Sequence, residues 1–491
     1  MKIVYIDVDS LRPDHLGCYG YLRDTSPEID RLAKESIRFT NVYASDAPCL
    51  PSRTALWSGR FGYRTGVVGH GGTAAQPFVE GPNRGFQDQF HNDGWMTCLR
   101  KTGHHTVTIS SFGERHAAWH WYAGYNEIIN PGYMGEDRAD QVVPLAIDWI
   151  ERNAGQLGNW FLHVNLWDPH TPYRTPQDFG EPFADAAIPA WLTDDVIARQ
   201  RQSYGPMSAS EPNWFSELDL TSQYPRHPNT IRNVADARRW YDGYDAGVRY
   251  ADFWIGKLME ALKQAGIFDE ALIFLSADHG ENLGELNVWG DHQTADQFTC
   301  RVPLIVRLPH AENGGQIDNA LHYHFDWAAS LIERTGGSVP VSWDGKAIAT
   351  EGATGREYIV TSQGAWACQR SVRFRDAGTD YICLFTYDDG LKNLDPVMLF
   401  NLTADPHEQS NICDVRPDLV AMARDMLVGW RRGVADRDGV DPMSTVMCEG
   451  GPFHSKGELP KYLDRLRETG RGHHADNLDS KYPRVGTAAK V

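Results

Sequence analysis

The sequence predicts an α/β protein: a mostly parallel sheet sandwiched by helices, with a smaller α+β subdomain at the C-terminal end. Three observations carry this expectation. Short apolar runs rich in β-branched residues alternate with longer stretches of helical periodicity, two of those runs lead into carboxylates, and after about residue 350 the pattern changes to closely spaced short strands. A length of 491 residues suits one large domain with an appendage, so we expect a catalytic domain over 1–350 and a C-terminal subdomain over 351–491.

The first run, Lys2–Val8, is apolar and β-branched and leads into Asp9, Ser10 and then Pro13, which reads as a buried strand presenting polar side chains at its carboxyl end. Residues 139–152 have helical periodicity and lead into a second strand, Trp160–Leu166, and the loop sequence WDPHTPY. A long helix is expected over 234–265, with Gly266 in the C-cap position, followed by a third strand, Ala271–Ser276, which runs into Asp278 and His279. Strands alternating with helices give a parallel sheet covered on both faces, and ligands of such sheets gather outside the carboxyl ends of the strands. The stretch 171–233, rich in Pro, Ser, Asp and Trp, reads as an insertion over that end, where specificity usually resides. Further on, RSVRFR and YICLF read as strands, 419–431 as a helix, and the chain from about 436 as a polar tail.

Composition excludes several classes. A net charge of −18 argues against a broad nucleic-acid surface. No run of about 18 apolar residues is present to span a bilayer. Asp7 and Asp9 interrupt the apolar stretch that a signal peptide would need, and eight scattered Cys suit reduced thiols better than a disulfide framework, so a cytoplasmic location is expected. Sixteen Trp and twenty Tyr permit sugar-stacking platforms and equally a thick core.

The most informative segment is 47–59, APCLPSRTALWSG. Pro51 falls in the first turn of a helix, and the helix N-terminus favours an anion beside Cys49. On the residues alone, Cys49 is either a nucleophile or an ordinary buried thiol.

The run Cys49, Leu50, Pro51, Ser52, Arg53 resembles the CxPSR signature of the type I sulfatases, members of the alkaline phosphatase superfamily. The opening IDVDSLRPDHLGCYG is similar to that family's first strand and loop, and SADHGENLGE to its second metal motif. RVPLIV at 301–306 and LFNLTADPHEQSNI at 399–412 extend the resemblance over nearly the whole chain. It implies an alkaline-phosphatase-like sheet and a maturation enzyme that oxidises Cys49 to formylglycine, whose hydrate attacks sulfur through one hydroxyl and expels sulfate through the other.

The resemblance also implies a divalent metal, Ca²⁺ by the hardness of its ligands, held by Asp9, Asp278, His279 and the matured Cys49. Many relatives have two adjacent Asp at the first strand end, where this chain has Asp9 and Ser10. Asp7 projects from the same strand face and is a further candidate ligand or its supporting partner. Arg53 is expected to hold the nucleophile, because its planar fork suits oxyanions.

His170 in WDPHTPY, and His116 in SFGERH, which is similar to the family's GKWH, are candidates for proton transfer. The Lys of GKWH is Glu114 here, with Arg115 beside it a candidate to compensate either by turning inward or not at all, and Asp291 stands where many sulfatases place a sulfate-contacting Lys, with His292 following directly as a further substrate-binding candidate or an exposed loop residue. The function that the resemblance implies is hydrolysis of a small sulfated, anionic substrate, a carbohydrate, with Trp119, Trp121, Tyr122 and Trp167 near the site segments. The alternatives are a phosphonate monoester or phosphodiester hydrolase, and a binding protein that has kept the fold without the chemistry. The segment 451–491, with Leu459, Tyr462 and Leu466 among charges, is expected either to pack on a partner in a homo-oligomer or to wrap its own domain.

Overall fold

A computed structural model describes residues 1–78, 89–215, 219–348, 355–435 and 440–482. Its larger sheet has eight strands in the order Ile317–Tyr323, Ile37–Tyr43, Arg301–Arg307, Ala271–Ser276, Lys2–Val8, Trp160–Leu166, His105–Ile109 and Glu127–Ile129. Every pairing is parallel except the two made by Arg301–Arg307. The central strands are buried along nearly their whole length, which is why they read as continuous apolar runs.

Helices Pro27–Lys34, Ala139–Asn153 and Val234–Gln264 pack against one another in one layer, and Cys49–Ser58, Trp95–Lys101 and His324–Arg334 in another. Tyr5, on the same strand face as Asp7 and Asp9, packs against Trp57 and Trp95 of the second layer. The helix that begins at Cys49 therefore lies over the face that carries the two aspartates.

A second sheet of five strands runs Val397–Asn401, Thr379–Asp388, Cys368–Asp376, Tyr358–Gln363 and Asp46–Ala47. The last pairing is parallel, Ser362 to Asp46 and Gln363 to Ala47. The two residues preceding Pro48 and Cys49 thus belong to the C-terminal sheet, which ties the start of the Cys49 helix to both sheets. The long helix is seen as Val234–Gln264 and the C-terminal one as Pro417–Val434, and the stretch 171–233 contains one α-helix among its described residues, Asp194–Arg201.

The expected polar tail is helical. It contains Pro442–Cys448, Leu459–Glu468 and Gly472–Lys481, while 436–439 and 483–491 lie outside the described residues. Tyr462, Leu463, Leu466 and Leu478 bury themselves against Tyr204, Phe215 and Leu391, so this segment wraps its own chain. All eight cysteines are free, and among the described residues no helix is long and apolar enough to cross a membrane.

Candidate active site

Asp9 follows the first strand, Asp278 and His279 follow Ala271–Ser276, and Cys49 opens its helix between them. One donor atom each from Asp9, Cys49, Asp278 and His279 lies within 4.8 Å of all the others, and all four residues are buried. The Cys49 Sγ is 3.1 Å from Nε2 of His279. Ser52, one turn along, donates its hydroxyl to the Asp278 carbonyl, and Nε2 of His324 donates to the Ser52 carbonyl at 3.1 Å, which fixes the helix against the strand end. Ser10 follows Asp9 at φ 61°, in the left-handed region, and its hydroxyl donates to Asp9 at 2.9 Å.

Arg53 lies under this group, fully buried. Its guanidinium meets Asp7 at 3.0 Å and Asp9 at 2.9 Å, and it also pairs with Asp278. Asp7 stands outside the four-residue group. It accepts from Arg53 and faces Nε2 of His163 at 3.2 Å, holding the arginine from behind.

Three buried carboxylates share one guanidinium, which leaves two negative charges uncompensated in a dry site. A divalent cation closes that balance, and carboxylate oxygens with one imidazole are donors it accepts, so the residues present fit such an ion. The same crowding shows in the titration behaviour. Burial pushes Asp278 well above the usual carboxylate range, opposed by Arg53 and reinforced by Asp9 and Asp7. Burial is the largest single effect on Asp9 and works against it, but Arg53, His170, His279 and the Ser10 hydroxyl together outweigh it and hold that carboxyl low. Burial, with Asp9 and Asp278 beside it, pushes the Cys49 thiol far up, so an unmodified Cys49 stays protonated and is a poor nucleophile.

Above Cys49 opens a cavity of about 820 Å³ that is also lined by Arg115, His116, His170, Asp291 and His292. Arg115 is on the cavity lining. Its guanidinium lies 5.1 Å from the Trp167 ring centre and donates to the Met134 carbonyl at 3.1 Å, while Glu114 points to Asn130. Nε2 of His116 is buried without a partner, its ring 4.9 Å from that of His70. His292 is buried too, its ring 4.2 Å from that of His279.

Burial brings His170 down to about 3, and burial first, with neighbouring cations and imidazoles after it, lowers His116 and His292 well below the ordinary histidine value. These imidazoles are neutral near pH 7, able to donate through one nitrogen and accept through the other. Burial raises the Asp291 carboxyl to about 6 while it accepts from the His292 amide at 2.7 Å and from Nε2 of Gln293 at 2.9 Å. A buried lysine, Lys392, acts on Asp291 from the C-terminal sheet side. Burial lowers its pKa to about 7, and its Nζ donates to the Pro206 carbonyl at 3.0 Å.

The aromatic wall differs from the one expected. Trp119 is 65% exposed and does not line the cavity, and Trp121 is fully buried in the core. Trp167 is buried too, in cation–π contact with Arg53 and Arg115. The wall is made instead by the exposed Trp214 and Phe453, backed by the buried Trp366, on which His454 stacks at 4.5 Å. These residues and Arg174 escaped the sequence reading. Arg174 was within reach, standing one residue beyond WDPHTPY.

A buried acidic and imidazole group outside the carboxyl ends of a parallel sheet, facing an inward-turned arginine, defines a hydrolase of anionic esters. The family model Sulfatase matches residues 2–337, and the chain belongs to that family. It is 23% identical over 476 residues to the N-acetylglucosamine-6-O-sulfatase of Bacteroides thetaiotaomicron, with 84% of this chain and 82% of that protein covered. In fold it is similar to a structure solved in complex with its substrate D-glucosamine-2-N,6-O-disulfate, at a TM-score of 0.69 and 20% identity over 89% of this chain and 98% of that one. It is also similar to the phosphonate monoester hydrolase from Silicibacter pomeroyi, at a TM-score of 0.62 and 22% identity over 89% and 96% of the two chains. The fold is thus the alkaline-phosphatase-like one with a C-terminal subdomain, and the chain is a hydrolase of sulfate esters.

Proposed function

We propose that this enzyme hydrolyses the sulfate ester of a small carbohydrate, taking up one water to release the alcohol and hydrogen sulfate, with Cys49 matured to formylglycine. The observation that carries this reading is the convergence of Cys49, Asp9, Asp278 and His279 on one point at the floor of a cavity. The matured residue would supply a hydrated aldehyde as nucleophile, and a divalent cation, Ca²⁺ by the oxygen-rich donor set, would offset charge on the ester.

The chain's own residues do the rest. Arg53 fixes Asp9 and Asp278 in register, Asp7 and His163 hold Arg53 from behind, and Arg115 takes a sulfate oxygen at the cavity side. His170, His116 and His292, neutral near pH 7, are placed to accept the proton of the attacking hydroxyl or donate one to the departing sugar oxygen. The exposed rings of Trp214 and Phe453 offer a stacking face for a sugar, in keeping with the substrates named for the relatives.

Cys49 is 1% exposed, which supports a maturation enzyme acting on the chain before it folds. A reducing, cytoplasmic setting is part of the same proposal and is supported by the eight free cysteines. The second reading, a phosphonate monoester or phosphodiester hydrolase, draws on Asp9 standing without an adjacent Asp at the first strand's end and on the likeness to the phosphonate monoester hydrolase.

The test is a screen of the matured enzyme on defined sugar sulfates beside a phosphonate monoester and a phosphodiester. A kcat/KM at least about tenfold higher on a sugar sulfate, lost on chelation and restored by Ca²⁺, is expected. The reverse order of preference selects the phosphonate reading. Intact mass reports whether Cys49 has exchanged its sulfur for oxygen.

A further inference from the structure

We propose that the substrate carries a second anionic group besides the ester that is cleaved, and that Arg174 is the residue that binds it. The proposal rests on the sulfated-carbohydrate reading and names its substrate class more closely.

Arg174 lines the same cavity as Cys49, four residues beyond His170. Its hydrogen bonding is nearly empty: Nη2 reaches the Thr171 carbonyl at 3.4 Å, and Nε is buried without a partner. Among the described residues no carboxylate lies within ion-pairing distance of it. Asp168, which acts on it only at longer range, spends an oxygen on the Ala139 amide at 2.8 Å, and Glu136, also on the cavity wall, stands exposed. Burial lowers the Arg174 pKa and the neighbouring Arg115 adds to that, while Glu136 and Asp168 pull the other way across more than ion-pair distance.

The other arginines of this region are occupied. Arg53 pairs with three carboxylates. Arg226 donates to the Thr175 and Gly180 carbonyls and pairs with Glu181 at 3.2 Å. Arg115 lies against Trp167 beside the imidazoles and is assigned to the scissile sulfate. A guanidinium half-buried in a cavity wall, with a buried Nε and free donors, is costly alone and strongly stabilised by a planar or tetrahedral oxyanion, which it grips with its fork. In a chain of net charge −18, two arginines without carboxylate partners on one cavity wall mark a local site for more than one negative charge. The cavity, at about 820 Å³, lies in the upper part of the range of roughly 300–1,000 Å³ common to small-molecule sites and leaves room for a substituted sugar.

A sugar carboxylate and a second sulfate share this chemistry, and the experiment separates them. Wild type, Arg174→Ala and Arg174→Lys are compared on three matched sugar monosulfates: one otherwise neutral, one bearing a carboxylate, one bearing a second sulfate. The wild type is expected to favour at least one two-anion substrate by tenfold or more in kcat/KM. Arg174→Ala loses at least tenfold more on that substrate than on the neutral one, chiefly through KM, and Arg174→Lys restores part of the loss. The arm that responds identifies the group. Equal losses on all three, or no preference in the wild type, overturn the proposal. If the matured enzyme cleaves no sulfate ester, the sulfatase reading falls separately. Arg174 is then judged by binding of a desulfated acidic sugar against its neutral counterpart: tighter binding of the acid that Arg174→Ala abolishes upholds the site, and equal binding rejects it.

Discussion

Arg53 shows how much of this site hangs on single side chains, because one guanidinium neutralises carboxylates from two different strand ends. Arg53→Met keeps the volume and strands three acids in a dry cluster, so it is expected to lower unfolding stability by about 3–5 kcal/mol in urea and to abolish turnover. A loss under about 1 kcal/mol would show that the acids are neutral without it. His324 gives a pH signature. Burial, against the pull of the Ser52 carbonyl, brings its pKa down from the ordinary histidine value of about 6.5 to about 4. Above pH 6.5 both folded and unfolded forms are neutral, and below it the unfolded chain takes a proton that the fold refuses. Its contribution is therefore complete above pH 6.5 and is lost, at about 1.4 kcal/mol per pH unit, as the pH falls toward 4. The stability difference between wild type and His324→Gln is expected to shrink over that window, and a difference independent of pH rejects the assignment.

At the scale of elements, the long helix Val234–Gln264 is shaped to seat the loop that carries His170. A Cβ on Gly247 would lie 2.8 Å from Cα and Cβ of Pro169, and one on Gly243 would lie 2.4 Å from the Tyr173 ring. Glycine is tolerated mid-helix because the loop backbone comes this close, despite its cost of about 1 kcal/mol against alanine. Gly247→Ala is expected to displace the loop, destabilising the protein by about 1–3 kcal/mol through overpacking and lowering kcat/KM by more than that loss explains. Unchanged kinetics would show that the loop does not position His170.

This helix and the central strands were legible from periodicity and apolar runs, and their carboxyl ends announced Asp9, Asp278 and His279. The antiparallel course of Arg301–Arg307 was not, since a buried strand has the same composition in either direction. Nor was the two-residue pairing of Asp46–Ala47 with the second sheet, too short to leave a pattern. Trp214, Trp366 and Phe453 come from separate segments, and nothing local to any of them says that they meet.

Over the whole molecule, the cavity is a joint product of the large sheet, the insertion and the chain's last described helices. Glu211, buried in the insertion, accepts from the Tyr462 hydroxyl at 2.7 Å, from Nε of Arg465 at 2.6 Å and from Nη2 of Arg471 at 2.8 Å. Three residues on is Trp214, and the Phe453 and His454 that complete the wall precede the same helical pair. The helices Leu459–Glu468 and Gly472–Lys481 thus clamp the insertion that carries Trp214, outside the central sheet that carries Asp9 and Asp278. Glu211→Ala leaves Arg465 and Arg471 without their shared carboxylate, a loss of about 3–5 kcal/mol that falls on this clamp and not on the central sheet. Trypsin is expected to cut after the arginines of the clamp at lower doses than in wild type, with KM for a sugar sulfate rising severalfold. Turnover of a small aryl sulfate, which does not need the wall, should fall much less. Equal losses on both substrates would place the effect of Glu211 on the sheet and its nucleophile, and an unchanged proteolytic pattern would show that the apolar cluster around Tyr462 holds the helices alone.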